Sequence, residues 1–379
     1  MNTKTLYYIC DGIGSVFDSQ VLALLNAISK TKYFKDVYLF LGVRNENEKT
    51  DFLKRKSATE LKTVFFKTYP NYPFLNFVNR KSISTALSNL KIDFKNIIFH
   101  TRGEMSAMHL NKILHKELHK NIVPDVRGAS IEEISEFYDS NKLLKRLKIT
   151  NSKNADKNLT KFEKISVVSN SLREYLTANY KINPEKLFVT PCLASSEFRF
   201  NESKRKHIRK ELGITNDDIL IVFTSGGTAN WQNNEILITL ADMGLKVLNL
   251  SKKVINHKNI INNFVDYSQI PAYLNAADAA IIWRDKSIVN KVASPVKFSE
   301  YVCSGLPVIA NNSVDMISEY LFKYGCGMMI ENLSEIDLRN IKILKQMDRR
   351  KISDTATLHF GIDIIVEKYL QIYSSVNDL

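Results

Sequence analysis

Short apolar runs alternate with amphipathic stretches along the whole chain. The runs end at turn-forming residues, as strands do, and the stretches between them carry apolar residues at helical spacing. Strands are predicted at Leu6–Cys10, Val37–Leu41, Thr63–Phe66, Asn96–His100, Ile122–Pro124, Ile165–Ser169, Leu187–Pro191, Ile219–Thr224, Lys246–Leu250, Ala279–Trp283 and Pro307–Ala310. This alternation predicts an α/β fold with parallel sheets.

The pattern of strands and helices starts afresh after a turn-rich stretch near Pro191–Phe200. We therefore predict two similar sheets in tandem, with a first domain over residues 1–195 and a second over residues 196–359. The stretch Ile362–Tyr373 is amphipathic and predicts a C-terminal helix. Ligands of open α/β sheets bind beyond the carboxyl ends of the strands, so we expect the site in a cleft between the two domains.

Composition indicates a soluble globular protein, because 44% of the 379 residues are hydrophobic and 25% are charged. No apolar run approaches the length of a membrane span, which is about 18 residues. The first apolar run is also too short for a secretory signal. The four cysteines form no C-x-x-C pair, so we expect reduced thiols, no zinc site and a cytoplasmic location.

The chain is basic, with 53 Lys and Arg against 40 Asp and Glu and a net charge of +13. Such a charge favours an anionic partner, but no nucleic-acid-binding motif is present, so we expect no nucleic-acid partner. Basic residues concentrate in Asn141–Ile149 and continue to Lys164, with Leu143, Leu144 and Leu147 at helical spacing among them. This segment either lies on an anionic membrane surface or forms a solvated helix that packs its leucines inward.

The segment from Ser294 to Ala310 carries the strongest chemical signal. It predicts a loop, a helix that starts at Pro295 and stops at Gly305, and a buried strand. A helix N-terminus at the carboxyl edge of a parallel sheet binds anions, because its first N–H groups lack partners. Lys297 adds a positive charge there, and Glu300 offers two oxygens to the vicinal hydroxyls of a ribose. The segment therefore predicts a nucleotide site; the alternative is a surface helix with an i, i+3 Lys/Glu pair.

A glycine loop follows the first strand of each half. It is Asp11-Gly-Ile-Gly14 in the first half and the pair Gly226 and Gly227 in the second. Glycine lets the backbone come close to a ligand, although a tight strand–helix turn explains the same residues. Arg284 follows the apolar run Ala279–Trp283, at the edge where ligands bind. Its guanidinium can hold a phosphate through two hydrogen bonds, or it can form an ion pair with Asp278 or Asp285.

Residues 295–309 read Pro-x-Lys-Phe-x-Glu-Tyr-x-x-x-Gly-x-Pro-Val-Ile. This motif resembles the donor-nucleotide motif of retaining GT-B glycosyltransferases of family 4 (glycosyltransferase group 1), of the polysaccharide-building type. The resemblance covers nearly the whole chain and is strongest through residues 214–320. It implies two Rossmann-like domains that face each other across a cleft, with the helix from about Phe360 returning to the first domain. Two departures stand out: Val292 replaces the first of the motif's two glutamates, and residues 226–235 lack the arginine and lysine of many relatives.

The resemblance also implies the residues of the site. Contacts with the donor are expected from Gly12, Gly14, Gly226, Gly227, Val265, Tyr267, Ser294, Pro295, Val296 and Glu300. Arg284 and Lys297 are expected to stabilise the leaving diphosphate. Arg127 is a candidate for neutralising phosphate and Asp125 for positioning the acceptor hydroxyl; alternatively, this Asp/Arg pair only braces a loop.

The activity that the resemblance implies is transfer of a hexose-type sugar from a nucleoside diphosphate sugar to a hydroxyl, with retention. The acceptor would be a glycan or a lipid-linked glycan of a cell surface, such as lipopolysaccharide or capsule, made in the cytoplasm or at the inner face of the membrane. No Asp-x-Asp occurs, so we expect no metal and no cofactor other than the donor substrate. Two alternatives remain, a nucleotide-sugar epimerase of the same fold and a catalytically inactive scaffold subunit.

Overall fold

The computed structural model of this protein describes residues 4–55, 61–88, 96–139, 141–226 and 235–376. The chain divides into two compact units. Unit 1 comprises Met1–Pro191 and Ile365–Leu379, and unit 2 comprises Cys192–Ile364. Each unit is built on its own sheet.

Unit 1 contains a seven-stranded sheet of order β3-β2-β1-β4-β5-β6-β7, in which every pair of neighbours is parallel. Its strands are β1 Thr5–Cys10, β2 Asp36–Val43, β3 Lys62–Lys67, β4 Ile97–Arg102, β5 Ile122–Val126, β6 Ile165–Val167 and β7 Leu187–Val189. Its helices are α1 Ala23–Lys30, α2 Glu46–Leu53, α3 Asn76–Ser88, α4 Glu104–Ile113, α5 Ser130–Phe137, α6 Lys142–Asn158 and α7 Asn170–Tyr180. The strand order reverses between β1 and β4, the position at which open α/β sheets bind ligands.

Unit 2 contains a six-stranded parallel sheet of order β10-β9-β8-β11-β12-β13. Its strands are β8 Leu220–Ser225, β9 Lys246–Ser251, β10 Ile260–Asn262, β11 Ala279–Ile282, β12 Val308–Ala310 and β13 Gly327–Met329. Its helices are α8 Glu202–Glu211, α9 Glu235–Asp242, α10 Ile270–Ala276, α11 Ile288–Lys291, α12 Val296–Cys303, α13 Asp315–Tyr324, α14 Leu338–Lys345 and α15 Arg349–Phe360. The strand order reverses between β8 and β11.

The two faces of the unit 2 sheet hold different helices, because successive side chains of a strand point to opposite faces. Leu220 and Val222 of β8 belong to the apolar cluster that contains Phe298 of α12. Ile221 belongs to the other cluster, with Ile236 of α9. This arrangement fixes α12 on one face of the sheet, beside the carboxyl ends of β8 and β11.

The last helix, α16, spans Ile362–Ser375, and its residues from Ile365 onward belong to unit 1. Its side chains Tyr369 and Tyr373 are buried there. All four cysteines are buried and unpaired, as the sequence predicts. In the part of the chain that the structure describes, we find no helix long and apolar enough to cross a membrane.

The predicted α/β fold with two parallel sheets is confirmed. Each of the predicted strands is present, with ends that differ by up to two residues. Two strands were not predicted, β10 and β13, which form the two edges of the unit 2 sheet.

Candidate functional site

The start of α12 forms one wall of the site. Pro295 precedes the helix with φ −69° and ψ 122°, and no side chain in the described part of the chain caps this end. The N–H groups of Phe298 and Ser299 donate to the Pro295 carbonyl at 3.0 and 3.5 Å. The N–H groups of Val296 and Lys297 are earlier still in the helix and have no partner within it. This N-terminus can therefore receive an anion.

The loop before α12 is held by hydrogen bonds to one neighbouring residue. The Cys192 N–H donates to Ser294 Oγ at 2.9 Å, and the Ser299 hydroxyl donates to the Cys192 carbonyl at 2.8 Å. The Ser294 side chain is buried and already engaged. We therefore expect this loop to contact a ligand through its backbone. At the other end of the helix, Gly305 has φ +76°, the left-handed conformation that a helix stop favours.

Glu300 is fully buried, and each of its carboxylate oxygens accepts a hydrogen bond. The Tyr267 hydroxyl donates to Oε1 at 2.8 Å, and the Lys297 ammonium donates to Oε2 at 2.9 Å. A carboxylate has about four acceptor positions, so two remain for the hydroxyls of a ligand. Because Glu300 has no exposed surface, side chains around it must move before a ligand can reach it. The sequence predicted that Tyr267 contacts the donor and gave no signal for the hydrogen bond between its hydroxyl and Glu300.

Arg284 lies directly beyond β11 and is tied to the loop after β12. Its backbone N–H donates to Asn311 Oδ1 at 3.2 Å. Its backbone carbonyl accepts from Asn311 Nδ2 at 2.6 Å and from the Ser313 hydroxyl at 2.7 Å. Its guanidinium Nη1 donates to Asn290 Oδ1 at 3.1 Å. The Arg284 Nε is buried and has no hydrogen-bond partner among the described residues.

The Arg284 charge has no carboxylate beside it. Asp278, one of the two predicted alternatives, pairs instead with Arg205 and Arg209, and no ion pair within the described ranges involves Arg284 or Asp285. Burial lowers the pKa of Arg284 to about 10, so the guanidinium is still charged at neutral pH. The ion-pair alternative is therefore wrong, and the arginine keeps an unneutralised charge.

Arg284 and Lys297 line the same pocket. The other residues of its wall are Phe223, Thr224, Ile281, Ile282, Trp283 and Tyr301. The Tyr301 hydroxyl lies 2.8 Å from both the N–H and the hydroxyl of Thr224, which fixes α12 against the end of β8. None of these wall residues is acidic, so the pocket is positively charged and suits an anion.

Gly226 follows β8 at this edge, and a Cβ added there would meet no atom of the described residues within 4 Å. Its φ is not in the left-handed region either, so the described part of the fold gives no reason for glycine. Close approach of a ligand would give one. Val265 is partly buried against the unit 2 core, and its predicted contact with a base stays a prediction. Gly227 lies outside the described residues.

In unit 1, the loop with Gly12 and Gly14 follows β1 at the reversal of strand order. A Cβ at either glycine would also meet no atom within 4 Å. The neighbouring carboxyl of Asp11 has its pKa raised to about 6, chiefly by burial and further by the nearby Glu104. The predicted ligand contacts of both glycines stay predictions.

The structure corrects the predicted role of Asp125. This carboxylate is fully buried, and its Oδ1 accepts from the Ser166 hydroxyl at 2.7 Å, the Tyr369 hydroxyl at 3.2 Å and Arg127 Nη1 at 3.3 Å. Burial would raise the pKa of Asp125, but Arg127 and His100 outweigh it and hold the pKa well below its usual value. In this arrangement the carboxylate has no exposed surface through which to contact an acceptor hydroxyl. Arg127 pairs with this buried carboxylate at 3.3 Å, and its predicted contact with a phosphate stays a prediction.

A histidine that the sequence did not single out belongs to the same network. His100 is buried, its ring stacks on Tyr8 with centroids 4.4 Å apart, and its Nδ1 lies 2.7 Å from the Tyr373 hydroxyl. Burial lowers the pKa of His100. The hydroxyls of Tyr369 and Tyr373 thus attach α16 to the polar interior of unit 1.

No family model matches the sequence, and a search of curated proteins finds no significant match. The fold, however, matches solved structures over nearly the full length of both chains. A glycosyltransferase from Rickettsia africae ESF-5 aligns with TM-score 0.67 and 15% identity over 99% of each chain. A sucrose-phosphate synthase from Thermosynechococcus elongatus aligns with TM-score 0.67 and 12% identity over 98% of this chain and 99% of that one. Anabaena HepE in complex with UDP-glucose aligns with TM-score 0.66 and 13% identity over 99% of this chain and 100% of that one. These similarities confirm the GT-B fold, and identities this low leave the activity to be argued from the site.

Proposed function

We propose that this protein is a glycosyltransferase that moves a sugar from a nucleoside diphosphate sugar to a hydroxyl of a glycan or lipid-linked acceptor. The single observation that carries the proposal is the pocket shared by Arg284 and Lys297, beside an uncapped helix N-terminus and the carboxylate of Glu300. Two cations beside a helix start suit a diphosphate, and a carboxylate suits a ribose diol. HepE, which has the same fold, binds UDP-glucose, and this supports a donor of that class.

In this proposal Arg284 stabilises the leaving group. When the bond between the anomeric carbon and the diphosphate breaks, negative charge builds up on the diphosphate. The acceptor oxygen forms the new bond to the anomeric carbon and passes its proton to the departing diphosphate. A charge fixed in advance in a partly dry pocket stabilises such a transition state more than water does. Arg284 fits this role because its guanidinium is buried without a carboxylate and one of its N–H groups is unpaired.

Lys297 would link the two halves of the donor site. Its ammonium is bound to Glu300 at 2.9 Å and its side chain lines the Arg284 pocket. On arrival of the donor, movement of Lys297 towards the diphosphate would free Glu300 Oε2 for a ribose hydroxyl. The two contacts would then form together.

Retention and a role in lipopolysaccharide or capsule synthesis complete the proposal, on the basis of the family that the motif at residues 295–309 resembles. Independence from metal ions rests on the absence of Asp-x-Asp from the sequence. The four buried, unpaired cysteines favour a reducing compartment such as the cytoplasm.

One observation favours a second candidate, an inactive scaffold that still binds a nucleotide. Val292 replaces the first glutamate of the motif, and it is 2% exposed, so it presents no polar group to a donor sugar. A binding test alone does not separate the two candidates, whereas a transfer test does.

The first experiment is a thermal-shift panel of nucleoside diphosphates, because a ligand that binds only the native state must raise the melting temperature. We expect one of UDP, GDP or ADP to do so, and the Glu300→Ala variant to respond less. If none of them does, the donor site is wrong.

The second experiment offers the matching nucleotide sugar with and without a mixture of glycan acceptors. Product that requires an acceptor supports transfer, isomerised donor without acceptor supports the epimerase, and binding without turnover supports the scaffold. Turnover should survive EDTA; complete loss with recovery by Mn²⁺ or Mg²⁺ would overturn the metal-free mechanism.

A further inference from the structure

Unit 1 carries a group of large apolar side chains that are open to solvent. Phe74 is 63% exposed, Phe77 69%, Phe137 37%, Leu143 65% and Leu144 36%; we call these five residues the apolar patch. Phenylalanine and leucine are usually buried. A cluster of them on the surface marks a site of interaction with a protein or a membrane.

The segments that carry the apolar patch contact each other. The Tyr72 ring stacks on Phe74 with centroids 5.5 Å apart, and the Tyr72 hydroxyl lies 2.9 Å from that of Tyr138. The Lys148 ammonium lies 3.9 Å from the centroid of the Tyr138 ring. Residues 72–77, the end of α5 and the first half of α6 are therefore neighbours.

The first half of α6 is more exposed than its second half. None of residues 141–150 is buried, whereas the second half of the helix buries five side chains, from Asn151 to Asn158. Leu143 and Leu144 are thus exposed, whereas Leu147 is partly buried, so the interpretation in which all three leucines pack inward does not hold for Leu143 and Leu144. The exposed turns carry Lys142, Lys145, Arg146 and Lys148 and no acidic residue.

We propose that the apolar patch and the first half of α6 bind the surface of an anionic lipid bilayer. Apolar side chains that enter the headgroup region and basic side chains that meet anionic lipids are the two components of interfacial binding. A soluble anion would account for the four cations but not for the phenylalanines. A second copy of the chain, paired through the same surface, would bring the four cations against each other.

Exposed acidic side chains lie near one member of the apolar patch. Glu133, Glu136 and Asp139 are exposed on and after α5, close in the chain to Phe137. We therefore expect insertion to be deepest at Phe74, Phe77 and Leu143.

The test uses the full chain and vesicles of phosphatidylcholine with or without phosphatidylglycerol, separated by flotation. The unchanged protein should float with the anionic vesicles and not with pure phosphatidylcholine. A Phe74→Trp variant should show a blue-shifted emission on binding, because its indole enters the headgroup region. The double variant Phe74→Ser/Phe77→Ser should bind at least about tenfold more weakly. Lys142→Gln/Arg146→Gln should bind about tenfold more weakly and depend less on salt.

Matched changes on unit 2 serve as controls. Phe322 is 93% exposed, and Lys204 and Lys206 are exposed on α8. Phe322→Ser and Lys204→Gln/Lys206→Gln should leave flotation unchanged. Every variant should keep its thermal melting curve and its response to nucleotide, which separates a failure of this proposal from a failure of the donor site.

Three outcomes would overturn the proposal. In the first, the unchanged protein does not float with anionic vesicles. In the second, the unit 2 controls weaken flotation as much as the patch variants, so net charge alone is responsible. In the third, the Phe74→Ser/Phe77→Ser variant floats normally but changes from dimer to monomer in size-exclusion chromatography, so the patch joins two copies.

Discussion

Replacement of Arg284 by glutamine should separate function from stability. We expect turnover to fall roughly 10²-fold or more, as it does when other preorganised groups that stabilise a developing charge are removed. We also expect the free energy of unfolding to stay the same or to rise slightly. If Arg284 served only the fold, the variant would keep its turnover and its free energy of unfolding would fall.

The magnitude follows from the surroundings of Arg284. Burial lowers the pKa of Arg284 from 12.5 to about 10, and each pKa unit corresponds to about 1.4 kcal/mol. Because the pKa of this base is lower in the folded state than in the unfolded state, the charged form destabilises the folded state. At neutral pH this lowers the free energy of unfolding by about 3 kcal/mol. Glutamine removes this penalty but weakens the bond to Asn290, at a cost of about 1 to 3 kcal/mol. The net change is therefore between about 0 and 2 kcal/mol in favour of the variant.

Urea unfolding and steady-state turnover, measured on the same preparations, provide the assay. Arg284→Lys should lose less turnover than Arg284→Gln, because an ammonium keeps the charge but not the two-pronged geometry. Arg349→Gln is the matched control, since Arg349 is also a buried arginine but donates to the carbonyls of Asn275, Ala277, Ser304 and Gly305. It should lose stability because buried carbonyls are left unpaired. If Arg284→Gln keeps its turnover and loses about 3 kcal/mol or more of stability, Arg284 is structural.

Three further predictions concern single side chains. Glu300→Ala should weaken donor binding by roughly 1.5–3 kcal/mol, because the ribose loses a charged acceptor; unchanged affinity in calorimetry would count against the assignment. Gly226→Ala should keep the melting temperature, since its Cβ meets no atom of the described residues within 4 Å, but should bind nucleotide more weakly; equal affinity would show that no ligand approaches there. Asp156 has a raised pKa, first because of burial and then because of Glu104, so its ionisation destabilises the folded state as pH rises above the unfolded value. Asp156→Asn should therefore gain stability relative to the unchanged protein from pH 4 to pH 8 in urea unfolding, and a constant difference would refute this.

The fold was readable from the sequence wherever strands are buried on both faces. β1 and β8 are nearly continuous apolar runs, which is typical of the interior of a parallel sheet. β10 and β13 were missed because they are short and contain residues that are uncommon in strands, Asn262 in β10 and Gly327 in β13. The edge strand β7 is equally short but reads Leu-Phe-Val, and this apolar run was recognised.

The site was predictable in its local parts only. Lys297 and Glu300 lie within one helix, and Arg284 ends a buried strand, so spacing alone brings them to one edge. Asp125 is hydrogen-bonded to Tyr369, which is 244 residues away in the chain. A local sequence pattern cannot predict such a contact. The exposure of Phe74 was equally hidden, because an apolar residue near the start of a helix resembles a core residue in the sequence.

The position of α16 has a consequence for synthesis on the ribosome. Unit 1 contains the first residues of the chain but obtains the hydroxyls of Tyr369 and Tyr373 only from the last ones. At about 5–20 residues per second, the chain beyond Pro191 takes roughly 10–40 seconds to make. During that time the polar groups around Asp125 and His100 lack their closing helix, whereas unit 2 is contiguous and can be completed as it emerges. The half of the protein that is made first is therefore expected to reach its final fold last.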